Sequence, residues 1–289
     1  MKDLLKKLKV KRKKILYERL TEPLHINIIS VFVALFGSFK SKAEFDLVIR
    51  QQNAFCLYKA AEFAKWMGLQ SITAIEFGVA SGNGLLNICQ IAEKVTKETG
   101  IHFNIFGFDS LTGMPAPRDF RDMPELFQEG CFAPVDREKL LKLLPNNAEL
   151  IVGNIEETIP QFLETISEES PIGFVSVDVD YYWSAKICLN LFLDRPEKYL
   201  PITLVYLDDI SPPCSNPWVG ELLAVNEFNI ENEYRKIAPY NFLRSKRIFK
   251  QPQWIDRIFV LNVLDHEWRS VKTKSKKPFN PKNPFNAQW

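Results

Sequence analysis

Four carboxylates in two short motifs are the residues best placed to do chemistry: Asp178-Val-Asp180 and Asp208-Asp209. Side chains two apart on an extended strand point the same way, so Asp178 and Asp180 face one side. Each motif closes an apolar run that reads as a strand, IGFVSVDVD (172–180) and ITLVYLDD (202–209). Carboxylates gathered at one spot repel unless protons or a cation neutralise them. An all-oxygen set of this kind suits a hard ion such as Mg²⁺. The competing reading is that some of these acids cap helices or pair with Lys and Arg.

A second candidate is the glycine-rich turn Glu76-Phe-Gly78-Val-Ala-Ser-Gly82-Asn-Gly84 between a strand and a helix. Missing Cβ atoms let backbone approach a ligand, and a helix N-terminus offers free N–H groups. The spacing is not the G-x-G-x-x-G of dinucleotide sites, and the Lys of a phosphate loop is missing. A purely structural tight turn is the alternative. Asp109 in FDSLTGMP ends the next strand, 25 residues after Gly84. An acid there can accept hydrogen bonds from both ribose hydroxyls of a nucleoside, or simply cap a helix.

These residues need a scaffold, and the chain supplies one by alternation. Strands are expected at 71–79, 102–109, 148–153, 172–180 and 202–209, with a final pair around 234–242 and 257–264. Helices are expected at 53–67, 85–97, 137–144, 158–167, 181–192 and 219–228. The central strands are almost continuously apolar, as strands covered on both faces are. The expected fold is therefore α/β, a doubly wound, mostly parallel, seven-stranded sheet with an N-terminal helical extension. Sites in such sheets lie outside the carboxyl ends of the strands, where the glycine and acidic motifs fall.

Composition removes several function classes. The chain has 289 residues, 46% hydrophobic and 25% charged, which are globular averages. Its net charge of +2 hides an asymmetry. Residues 1–20 carry nine basic and two acidic residues, residues 269–289 six basic and none acidic, which leaves the body at −11. An acidic body argues against nucleic-acid binding. The five cysteines (Cys56, Cys89, Cys131, Cys188, Cys214) form no CxxC pair and point to a reducing compartment, so the cytoplasm is expected. The three histidines lie far apart, without an HExxH site. The apolar run 28–39 is too short for a membrane span. Residues 1–20 read as a basic amphipathic helix, with a solvated arm favoured over docking to a membrane surface or a partner.

Taken together, from about Ile75 to Phe228, these motifs resemble the class I S-adenosylmethionine-dependent methyltransferases, and more narrowly the macrocin O-methyltransferase family. The segments that carry the resemblance are EFGVASGNG, FDSLTGMP, GNIEETIP (153–160), DVDYYWSAKICL (178–189) and the LDD followed by GELLAVNEFN (220–229). The resemblance implies a Rossmann-like methyltransferase fold and methyl transfer to a hydroxyl of a sugar or glycosylated metabolite. It implies cofactor contacts from Glu76, Gly78, Gly82, Gly84, Asp109, Ser110 and Asn154. By the same resemblance Asp178, Asp208 and Asp209 hold Mg²⁺, and Asp180 is the base. Arg50, Gln51 and Asn53 could reach the cofactor carboxylate or serve at the surface. The implied division is a basic helical extension or lid (1–52), a methyltransferase domain (53–268) and a basic tail (269–289). The segment 193–201 reads as an insertion ahead of its strand. A small-molecule acceptor is the expected partner; weak surface association through the basic ends and a homo-oligomer are both compatible. A metal-independent methyltransferase, or a scaffold that keeps the fold without catalysis, are the rivals.

Overall fold

A computed structural model of the chain describes residues 19–131, 137–211 and 216–270. Three helices lead: α1 (Leu24–Phe36), α2 (Phe39–Glu44) and α3 (Gln51–Met67). The alternating part follows as β1 (Ser71–Phe77), α4 (Asn83–Thr99), β2 (His102–Asp109), α5 (Arg137–Leu143), β3 (Ala148–Val152), α6 (Ile155–Thr165) and β4 (Ile172–Val177). It ends with α7 (Tyr182–Leu189), β5 (Tyr199–Leu207), α8 (Gly220–Glu231), β6 (Arg235–Pro239), α9 (Leu243–Lys246) and β7 (Ile258–Val263). The seven strands form one sheet in the order β3-β2-β1-β4-β5-β7-β6. The first five are parallel, and β7 runs antiparallel to both β5 and β6. This is the doubly wound, mostly parallel sheet that the apolar runs predict.

Chain order reverses between β1 and β4, which creates a crevice at the carboxyl ends of those strands. Helices cover both faces, which is why β1 and β4 carry so little polar surface. On one side Phe55, Ala60 and Phe63 of α3 join Leu85, Ile88 and Val95 of α4 against Ile72, Ala74 and Phe174. On the other Ile159 and Phe162 of α6, Cys188 of α7 and Phe228 of α8 bury Ile75, Phe77, Val175 and Val205. Burial on both faces packs the sheet centre closely, and the loops that carry the motifs start from these anchored strand ends.

Some boundaries differ from expectation for physical reasons. The segment 193–201 is not an insertion throughout, because β5 already begins at Tyr199, and Tyr199 and Leu200 are fully buried. The register against β4 slips between Ile172 and Phe174, at a bulge that accommodates Pro201, which has no N–H to donate. Helix α7 stops at Leu189 and tightens into a 3₁₀ turn over Asn190–Leu193. Helix α6 starts earlier than expected because Asn154 caps it, its Oδ1 accepting the Glu156 N–H at 3.1 Å.

Of the basic arm read at residues 1–20, residues 1–18 lie outside the described residues, and Arg19 is packed rather than solvated. Arg19 stacks over the Phe249 ring at 3.7 Å and donates to the Phe45 carbonyl at 3.0 Å. The basic tail also begins packed, with Arg269 donating to the Pro201 carbonyl at 2.9 Å. The rest of the tail, and Cys214, fall outside the described residues. Cys56, Cys89, Cys131 and Cys188 are free thiols. Among the described residues, no helix is long and apolar enough to cross a membrane.

Candidate active site

The strand ladder continues one residue past β1, β4 and β5, and this brings the motifs together. Gly78 donates to the Phe108 carbonyl at 3.0 Å, Asp178 to Phe77 at 3.1 Å and Asp208 to Val177 at 3.1 Å. Gly78 has φ +82°, and a Cβ there would fall 1.8 Å from the Asp178 carbonyl oxygen. Only glycine therefore lets the β1 turn lie against the end of β4. At Gly84, in the first turn of α4, a Cβ would fall 2.0 Å from Oε1 of Glu76. The missing side chain admits the Glu76 carboxylate to the helix N-terminus, where partial positive charge favours an anion. Glu76 is buried, its Oε2 has no hydrogen-bond partner, and burial followed by the Asp178 charge pushes its pKa up to about 8.

Asp109 ties β2 to the same turn. Its Oδ2 accepts the Ala80 N–H and its Oδ1 the Leu111 N–H, each at 2.7 Å. Ala80 (φ +41°) and Leu111 (φ +57°) hold left-handed backbone to make these bonds. Ser110 is exposed, its hydroxyl 2.9 Å from that of Thr112. Asn154 lies exposed beyond β3, beside Gly153, whose N–H donates to the Asp109 carbonyl at 3.1 Å.

At the ends of β4 and β5, Asp178, Asp208 and Asp209 each offer a carboxylate oxygen, all within 4.8 Å of one another. Asp180, in left-handed backbone at φ +60°, shares a side-chain hydrogen bond with Asp209. Burial, reinforced by the neighbouring charges, raises Asp178 and Asp180 to about 8. Asp209 rises to about 6, mainly through burial. Its Oδ2 is buried with no hydrogen-bond partner. Three converging hard oxygens, beside an orphaned carboxylate oxygen on Asp209, fit a divalent cation.

The structure adds residues that the motifs do not single out. Glu221, in the first turn of α8, is buried beneath the pair, accepts the Asp209 N–H at 3.2 Å, and is raised well above the usual carboxylate range by burial. Arg257, just before β7, donates to Asp208 Oδ1 at 2.6 Å and to the Tyr206 hydroxyl at 3.3 Å. An acid in a helix's first turn and a base before a strand are ordinary in sequence, so neither gives a signal. Arg50 has φ +55°, and its charge opposes the rise of both Glu76 and Asp178. Asn53 is buried and donates to Asn87 at 3.1 Å, while Gln51 donates to the Val48 carbonyl.

No protein-family model matches the chain, and no curated protein matches it. Solved structures similar to it include the calicheamicin methyltransferase CalS11, at 19% identity over 70% of this chain and 82% of that one, with a TM-score of 0.47. The O-methyltransferase NovP matches at 16% identity over 74% of this chain and 79% of that one, with a TM-score of 0.49. The chain's own strand order, with its reversed β7, agrees with the Rossmann-like methyltransferase fold implied by the motifs.

Proposed function

We propose that this chain is an S-adenosylmethionine-dependent O-methyltransferase, assisted by a divalent cation, acting on a hydroxyl of a sugar or glycosylated metabolite in the cytoplasm. The observation that supports this most is the convergence of Asp178, Asp208 and Asp209 within 4.8 Å, beside the β1 turn at the reversal point of the sheet. When bound, S-adenosylmethionine supplies the methyl group and Mg²⁺ lowers the pKa of a ligated hydroxyl.

The chain's own residues orient the reactants and handle the proton. Glu76, Gly78, Gly82, Gly84, Asp109, Ser110 and Asn154 would hold the methyl donor, with Asp109 accepting from its ribose hydroxyls. Asp178, Asp208 and Asp209 would hold the cation. Asp180 shares a side-chain hydrogen bond with Asp209, and it accepts the proton leaving the acceptor hydroxyl. Arg50, at the end of the N-terminal extension, sets a positive charge near Glu76 and Asp178.

One observation favours a metal-independent variant of the same transfer. Arg257 already places a positive charge 2.6 Å from Asp208. Calorimetric titration with S-adenosylhomocysteine, with and without Mg²⁺, separates the readings. Micromolar affinity, about −8 kcal/mol, is expected, together with a rise in melting temperature on adding Mg²⁺. Absence of heat and of any thermal shift with S-adenosylhomocysteine would remove the methyltransferase reading. Binding without any response to Mg²⁺ or EDTA would leave the metal-independent one.

A further inference from the structure

Helix α1 is built inside out. At 100° per residue, Leu24, Ile28, Val31, Phe32, Leu35 and Phe36 fall on one broad face, and all six are exposed. Leu24 is 75% exposed, Phe32 62%, Leu35 67% and Phe36 82%. On the opposite side Ser30 is buried and Asn27 donates to the Arg19 carbonyl at 2.8 Å, while His25 is exposed at the edge of the apolar face. A fixed mount holds this arrangement. Glu22 is buried and accepts the Gln251 N–H at 2.9 Å, next to the Arg19–Phe249 stack. An apolar face held toward solvent on a firm base marks an interaction surface.

We propose that α1 docks in the plane of an anionic lipid surface. At 13 residues it is about 20 Å long, too short for a hydrocarbon core of roughly 30 Å, but suited to lying at its boundary. Charge selects the occupant. The eighteen residues preceding Arg19 carry eight basic residues and two acidic ones, directly before the apolar face. Basic residues near an anionic surface each strengthen binding roughly fivefold. The −11 body is repelled from the same surface, which turns the basic end toward it. Pairing of two copies through α1 would instead bring two such basic segments together.

The test is co-sedimentation of the full chain with vesicles of phosphatidylcholine and phosphatidylserine in equal parts, and of phosphatidylcholine alone. The chain should pellet with the anionic vesicles only, and less as salt rises. Combined Phe32→Ser and Leu35→Ser substitution should lower partitioning by at least about tenfold with an unchanged melting temperature, both side chains being exposed. Failure to pellet with anionic vesicles, or equal partitioning by the doubly substituted chain, overturns the proposal. So does a dimer in sedimentation velocity that these substitutions abolish while no vesicle binding is seen, because a second copy would then be the occupant.

Discussion

At the scale of single residues, the acid cluster holds protons that the unfolded chain would release. Burial lifts Asp178 from 3.8 to about 8, with Asp208 and Asp209 adding to the rise. Between those values the folded state binds more protons than the unfolded state, so stability falls as pH rises through that window. Melting temperatures in EDTA should therefore decline from about pH 5 to pH 8, and less steeply for Asp178→Asn. Parallel slopes for the two proteins would show that Asp178 ionises in the fold as freely as in water. Asp180→Asn should act differently, lowering turnover roughly 10²- to 10⁴-fold while affinity for S-adenosylhomocysteine holds. Equal turnover would move the proton to another acceptor. The meeting of these acids was legible in sequence because each motif closes an apolar strand. Glu221 and Arg257 were not, because their place beside Asp209 and Asp208 depends on how α8 and β7 return to the sheet.

At the scale of elements, alternation of apolar strands and helices gave the sheet, whereas the edges depended on contacts no local pattern encodes. Pro201 hid the first residues of β5, and only the bulge against β4 explains how it is accommodated. Asp109 shows the same limit: its strand-end position suggested a ligand contact, yet both carboxylate oxygens also brace the loops after β1 and β2 at 2.7 Å. Asp109→Ala should therefore cost stability as well as cofactor affinity, about 1.5–3 kcal/mol for each charge-assisted bond lost. Chemical denaturation of the ligand-free protein reads the first effect and calorimetry the second. Weakened binding with untouched stability would mean the loops are held without Asp109. Gly78→Ala should be worse, because the added methyl meets the Asp178 carbonyl at 1.8 Å and neither strand end can yield alone. Soluble, cofactor-binding Gly78→Ala protein would show that the β1 turn can move away from β4.

At the scale of the whole molecule, the N-terminal extension is pinned to the last third of the chain. Arg247 donates to Asp46 at 2.5 Å, to the Ala43 carbonyl at 2.9 Å and to the Glu44 carbonyl at 3.0 Å. Both side chains are buried, and Trp254 lies 5.1 Å from the guanidinium. Sequence could not announce this pairing, since 201 residues separate the partners. Removing either partner should cost up to about 3–5 kcal/mol, because a buried charge loses its ion-pair partner. Measured against the wild type, the two removals should nevertheless respond differently to acid. Burial already holds Asp46 above the usual carboxylate range, against the pull of Arg247. In Arg247→Ala the carboxyl can escape its penalty by taking a proton, so the stability deficit of this protein relative to the wild type should shrink as pH falls from 8 toward 5. In Asp46→Ala the guanidinium has no such escape, because it stays charged throughout that range. Urea unfolding of both proteins at the two pH values checks this. If the two lose stability equally at each pH, the pair is not the buried charge contact that joins the extension to the sheet.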